Sequence, residues 1–170
     1  MNAIDDVHGR RNGSGTLGLI GWLALCYAVA AIGGWASADA PAFYGRLTRP
    51  VWAPPAWLFG PAWAVLYTLM AIAAWRVWRR AGFTTGRRAM TLFIAQLIPN
   101  AAWSWLFFVA HTGAYSTLDI AVMWLLIAAT LSAFARIERR AGWLLVPYLL
   151  WASFALALNI ATWRLNPGLL

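Results

Sequence analysis

Five stretches of this chain, residues 17–38, 50–75, 89–118, 120–135 and 141–163, contain no charged side chain, and every charge lies outside them. A helix that crosses a bilayer needs about 20 apolar residues, so the pattern calls for five spanning helices. The fourth stretch is short, but Asp119 and Arg136 can sit at its two ends. Apolar residues run continuously rather than alternating, which argues against a β-barrel. Hydrophobic residues make up 62% and charged ones 11%, too few charges to cover a soluble protein of this size. The fold class is therefore all-α, an integral membrane bundle with helices at about 17–38, 57–77, 89–110, 118–137 and 142–164. A polar, glycine-rich tail over residues 1–15 is expected to be disordered. The 22-residue first run is longer than the roughly 7–15 residues of a signal-peptide core, which favours a retained helix.

A formal net charge of +8 raises nucleic acid as a partner, but the distribution of charge argues against it. All 13 basic residues are Arg. Arg10 and Arg11 precede the first span, Arg76, Arg79, Arg80, Arg87 and Arg88 follow the second, and Arg136, Arg139 and Arg140 follow the fourth. The other side has only Arg46, Arg49 and Arg164. Arginines beside anionic headgroups explain the pattern, with membrane lipid as the partner. In a cytoplasmic membrane this asymmetry places the N-terminus inside and the 39–56 loop outside. The Lys-free composition points to a bacterial cell envelope.

That loop ends in a stiff, aromatic stretch, Arg49-Pro50-Val51-Trp52-Ala53-Pro54-Pro55-Ala56-Trp57-Leu58-Phe59-Gly60-Pro61-Ala62-Trp63. Its prolines hold the backbone extended until Trp57, where a helix can begin, and Pro61 is tolerated in the first turn. Long structured loops tend to be functional, and this one reads as a lid. Within the spans, Trp63, Tyr67 and Met70 share a face of helix 2. Gln96, Asn100, Trp103 and Phe107 share one in helix 3, and Tyr148, Trp151, Ala155 and Asn159 one in helix 5. Pro99 is expected to kink helix 3.

Polar groups inside a bilayer are costly unless they face protein or water. Gln96 reads as an interhelical hydrogen-bonding residue. For Asn100 and Asn159, hydrogen bonding and lining a cavity are both open. Asp119 reads as a structural group at a helix N-terminus. His111 reads as a solvated loop residue in preference to an axial ligand of haem, and no metal site is expected. Several tryptophans fall at helix ends, as in an interfacial belt. Trp151 does not: it lies roughly 12 Å into helix 5 at about 1.5 Å per residue. Trp103 and Trp63 are also deep. Indoles on three helices suggest a shared pocket for a flat, apolar, aromatic ligand. Ala30, Gly34 and Ala38 in helix 1 permit close packing, within the chain or across a dimer.

Three separated stretches resemble the translocator protein (TspO) family, also known as the tryptophan-rich sensory proteins and peripheral-type benzodiazepine receptors. They are Trp52 to Trp63 followed by Leu66-Tyr67, then Asn100-Ala101-Ala102-Trp103-Ser104-Trp105-Leu106-Phe107-Phe108, and finally Val146-Pro147-Tyr148-Leu149-Leu150-Trp151 with Phe154-Ala155 and Leu158-Asn159. The resemblance implies a five-helix bundle, commonly a homodimer, that binds tetrapyrroles such as protoporphyrin IX and haem as ligands, with no obligatory cofactor. It implies that Trp63 and Trp151 handle protoporphyrin, and that Trp103, Ala155 and Leu158 line the pocket. Tyr115 stands where animal members have a tryptophan. Trp52, Trp57, Phe59, Tyr67, Asn100, Phe107, Tyr148 and Asn159 complete the expected binding set, with Arg46 and Arg49 as propionate partners. The sterol-associated pattern of helix 5 lacks its tyrosine, since Ile160 lies between Leu158 and Arg164, so sterol binding is not expected. Four roles compete: tetrapyrrole sensor or scavenger, light-dependent breakdown of protoporphyrin by Trp63 and Trp151, transport, and a purely structural partner.

Overall fold

The computed structural model describes the backbone of residues 3–170 and the side chains from Gly15 onward. The expected disordered tail, with His8, falls largely outside those side chains. Seven α-helices are described: α1 (Ala3–Ala36), α2 (Ala40–Arg46), α3 (Phe59–Thr85), α4 (Arg87–Ser104), α5 (Gly113–Ile137), α6 (Arg139–Leu144) and α7 (Val146–Leu165). No strand is present among the described residues. Five segments have the length and composition to cross a membrane: Gly15–Ala36, Ala56–Thr85, Arg87–Val109, Gly113–Ile137 and Arg139–Leu165.

The second and third spans meet more tightly than the arginine-rich sequence suggests. Rather than ending near residue 77, α3 continues to Thr85, with its one non-helical residue at Gly82 (φ 61°, ψ −167°). A positive φ suits glycine because a Cβ would crowd the following carbonyl. Gly82 therefore lets the helix axis change direction between two arginine clusters, and Gly86 alone separates α3 from α4. At the next junction, Glu138 takes an extended conformation (φ −148°, ψ 110°) that stops α5. The short α6 then folds back on α5 through Gly142, where a Cβ would stand 2.6 Å from the Cβ of Ala135. Leu145 marks the step into α7, and Pro147 occupies its first turn, where a missing N–H costs little.

Pro99 does not interrupt α4, which remains helical through it. The irregularity comes later, as a π-helical turn over Trp105–Val109. There the amide of Ala110 reaches the carbonyl of Trp105 at 2.8 Å, and the Thr112 amide and hydroxyl both reach Leu106 at 3.0 Å. The widened turn is thus closed by backbone and side-chain donors together. α5 starts at Gly113, earlier than expected, so Asp119 does not stand at a helix start. It sits in the second turn, and one of its carboxylate oxygens is buried with no hydrogen-bond partner among the described residues.

The main core fills the space among the spans with Phe93, Phe134, Met70, Ile120, Ile127 and Leu145. Phe93 and Phe134 stack at 5.7 Å between α4 and α5. A second, smaller cluster of Phe43, Tyr44, Leu47 and Phe107 fastens α2 over one end of the bundle. The Trp75 indole donates to the Gly15 carbonyl at 2.7 Å, and Arg76 pairs with Glu138. These contacts gather the start of the first span, the α3–α4 junction and the α5–α6 junction at one end. Arg46, Arg49 and Arg164 belong to the end capped by α2.

Candidate functional site

Beneath α2 lies a cavity of about 430 Å³ walled by α1, α2, α3, α4, the π-helical turn and α7. Its size falls within the roughly 300–1,000 Å³ usual for small-molecule sites. The roof is the expected lid, though part of it is helical: α2 supplies Tyr44 and Pro41, and Ala56 and Phe59 follow from the proline-rich segment. Pro55 is extended (φ −65°, ψ 146°) and a single 3-10 turn, Ala56–Leu58, leads into α3. Beside the Phe43–Phe107 cluster, a pair of hydrogen bonds and a further ring contact hold this roof in place. The Asn166 amide donates to the Thr48 carbonyl at 2.8 Å, and the Thr48 amide donates to the Asn166 side-chain oxygen at 2.9 Å. The Tyr44 ring meets Phe59 edge-on at 5.9 Å.

From α3 the cavity receives Phe59, Trp63 and Tyr67, and Trp63 leans on Tyr67 at 5.5 Å. From α4 and its π-helical turn come Asn100, Trp103 and Phe107, with Trp103 stacked on Phe107 at 5.4 Å and 20°. From α7 come Ala155, Leu158 and Asn159. Nine of the expected residues are thereby brought together, on three different spans.

Both asparagines line the cavity and each is also hydrogen-bonded through both its oxygen and its nitrogen, so hydrogen bonding and cavity lining occur together. Asn100 accepts from the Tyr67 hydroxyl and donates to the Tyr148 hydroxyl at 2.7 Å, and Tyr148 donates on to Gln96 at 2.8 Å. Gln96 thus takes the interhelical role expected of it. Asn159 accepts from the Trp103 indole at 3.2 Å and donates to Thr117 at 2.7 Å, tying α4, α5 and α7 together. These bonds fix the polar edges of the chamber, because a buried amide held at both its oxygen and its nitrogen has few other orientations left.

Other expected residues lie elsewhere. Tyr148 is buried behind the wall, beside Trp63 at 6.2 Å. Trp151 is half-buried and one ring removed from the cavity, meeting Phe59 at 6.0 Å and Phe154 at 5.5 Å. Trp52 packs edge-on against Phe154 at 5.9 Å, while Trp57 and Tyr115 are exposed. Arg46 and Arg49 do not line the cavity; their guanidinium groups lie 5.6 Å over Phe43 and 4.8 Å over Tyr44. The wall that sequence reasoning missed is α1, which contributes Tyr27, Ala30, Gly33, Gly34 and Ser37. Its small residues leave room, and at Gly33 a Cβ would stand 3.3 Å from the Ser104 hydroxyl; the only available signal was the Ala30–Gly34 spacing. Among the described residues neither a histidine nor a cysteine lines the cavity. His111 is exposed against Phe43, and Cys26 is buried in the core.

The TspO/MBR family model matches residues 22–164, which reaches into all five spans. The tryptophan-rich sensory protein of Cereibacter sphaeroides is 41% identical over 145 residues, covering 85% of this chain and 89% of that one. Protein CrtK of Rhodobacter capsulatus is 38% identical over 131 residues (75% and 80%), and the human translocator protein 35% over 128 residues (74% and 76%). With a family match across most of its length, relatives at this identity, and five spanning helices in the expected order, the chain belongs to the TspO/MBR family.

Proposed function

We propose that the cavity under α2 binds a flat tetrapyrrole such as protoporphyrin IX, and that the protein acts as a membrane sensor or scavenger of such compounds. The observation that carries this reading is the set of rings facing one chamber from separate spans, Phe59, Trp63 and Tyr67 on one side and Trp103 and Phe107 on the other. Aromatic faces on two walls suit a planar conjugated guest, and stacking geometries add about 0.5–1.5 kcal/mol per ring beyond area burial. With no histidine or cysteine on the wall among the described residues, the ring face rather than a central metal supplies the recognition. Arg46 and Arg49 are exposed at the roof and remain the propionate partners in this reading, once released from Phe43 and Tyr44.

Titrating the purified protein with protoporphyrin IX while following tryptophan fluorescence tests the proposal. Saturable quenching is expected, with haem binding within a few-fold of the metal-free ring. A much tighter affinity for haem, or no saturation, would count against it.

A second reading is light-dependent breakdown of bound protoporphyrin. It draws on Trp63 in the wall and on Trp151, which reaches the chamber through Phe59. Loss of porphyrin absorbance under illumination, abolished in Trp63→Phe, separates it from simple binding. Transport remains a third role, tested by flux into sealed vesicles. The wider setting we propose is a bacterial envelope, with the N-terminus inside, α2 outside and a homodimer as the assembly.

A further inference from the structure

A second hollow, of about 270 Å³, opens at the arginine-rich end, far along α3 from the aromatic chamber, and is lined by Trp75, Arg76, Arg79, Arg80 and Glu138. Arg79 and Arg80 follow Arg76 by three and four residues, so all three share one face of α3. Arg76 is drawn to Glu138, yet its Nε remains buried with no hydrogen-bond partner among the described residues. The Arg79 guanidinium lies over the Trp75 ring at 4.9 Å, and that indole is itself fixed by its bond to the Gly15 carbonyl. Arg80 is exposed at the rim. Three arginines and a single carboxylate therefore line the hollow, and one buried N–H is unused.

We propose that this hollow is a binding site for a phosphate group, with the headgroup of an anionic membrane lipid as its occupant. Planar guanidinium donors match phosphate oxygens in pairs. Basic pockets between spanning helices are suited to anionic headgroups at the membrane surface. The surroundings favour a lipid over a free phosphate. Phe83, on the same helix end, rests on Trp22 at 6.2 Å and Trp78 at 6.3 Å while 61% exposed, and Leu17 is 70% exposed. These exposed apolar side chains, at the same end of the bundle as the hollow, offer a surface for acyl chains. The site differs from a general basic belt because it is concave and partly desolvated, with a fixed cation–π pair on one wall.

The test compares the full chain with two double variants of equal charge, Arg79→Gln/Arg80→Gln inside the hollow and Arg87→Gln/Arg88→Gln outside it. Both leave the Arg76–Glu138 pair intact, and the substituted residues are exposed, so folding is preserved. Native mass spectrometry of micelles doped with phosphatidylglycerol or phosphatidylcholine reads lipid retention. The wild type is expected to retain phosphatidylglycerol preferentially. That preference should fall on the order of 10-fold in the inner variant and stay near wild type in the outer one. Displacement of phosphatidylglycerol by millimolar inorganic phosphate, at wild-type strength only, would support the phosphate site while assigning a soluble phosphate as occupant. Equal losses in both variants would reduce the effect to diffuse surface charge and overturn the proposal. The absence of any preference for the anionic lipid, with no effect of phosphate, would overturn it too.

Discussion

The indole nitrogen of Trp103 donates to the side-chain oxygen of Asn159 at 3.2 Å, a bond that runs from α4 to α7 along the wall of the aromatic chamber. The same amide reaches Thr117 and Ser116 on α5, so one buried residue holds three spans in register. Asn159→Leu removes these partners at once and strands the Trp103 N–H. Interhelical hydrogen bonds in membranes are worth about 0.6 kcal/mol each and rarely above 1.7. A loss of about 1–3 kcal/mol is therefore expected in reversible unfolding from mixed micelles, and Asn159→Ser should recover part of it.

Trp63 and Trp151 are not equivalent, although sequence reasoning gave them one role. Trp63 is part of the wall, whereas Trp151 touches the chamber through Phe59. Trp63→Ala is expected to weaken protoporphyrin IX binding about five-fold or more, the equivalent of about 1 kcal/mol of stacking. Trp151→Phe should change affinity by less than half as much on a logarithmic scale. A larger effect from Trp151→Phe in fluorescence titrations would contradict the assigned geometry.

The roof is pinned by the reciprocal bonds of Thr48 with Asn166. Asn166→Ala removes both, at about 1 kcal/mol per bond. Because this strap lies outside the aromatic walls, its loss should accelerate ligand release on the order of 10-fold with little change in the bound spectrum. Stopped-flow displacement measures that rate, and an unaltered rate would show that α2 stays seated without the strap.

Alkaline pH should loosen the same roof. Burial raises the Tyr44 phenol above its ordinary value of 10.0, while the nearby Arg49 opposes the shift. A group whose folded pKa is raised contributes stability that is complete below the unfolded value. That contribution is lost as pH climbs from about 10 through the folded value. Thermal unfolding of the wild type should therefore lose stability above pH 10, and Tyr44→Phe should show a shallower decline over that range.

Glycine has opposite meanings at two positions. Gly82 has φ 61°, while a Cβ added to Gly21 would meet nothing within 4 Å. Gly82→Ala is expected to destabilise by about 1–2 kcal/mol through left-handed strain. Gly21→Ala should be neutral or stabilising by up to about 1 kcal/mol. Guanidinium-free, detergent-based unfolding of both variants side by side makes the comparison.

The spans were legible because charge is excluded from them, and charge is the one property a bilayer polices strictly. Depth along a helix was legible too, since it needs only a count of residues. Rotation about the axis was less so. Even a shared face does not decide which ring reaches the chamber: at about 100° per residue Trp151 lies roughly 40° round from the cavity-lining Ala155, yet it meets the chamber only through Phe59. α1 was invisible as a wall because Ala30, Gly33 and Gly34 act by their smallness. The shift of irregularity from Pro99 to the π-helical turn at Trp105–Val109 was equally hidden. It is closed by Thr112 reaching back six residues to Leu106, a contact that apolar periodicity does not announce.

The strap between Thr48 and Asn166 joins points 118 positions apart, one ahead of the second span and the other just beyond the fifth. During biosynthesis the first four spans can enter the bilayer while Thr48 has no Asn166 to clasp. The compartment is finished only when its final segment emerges from the ribosome, so an unfinished chain would be an open vessel, unable to retain a guest.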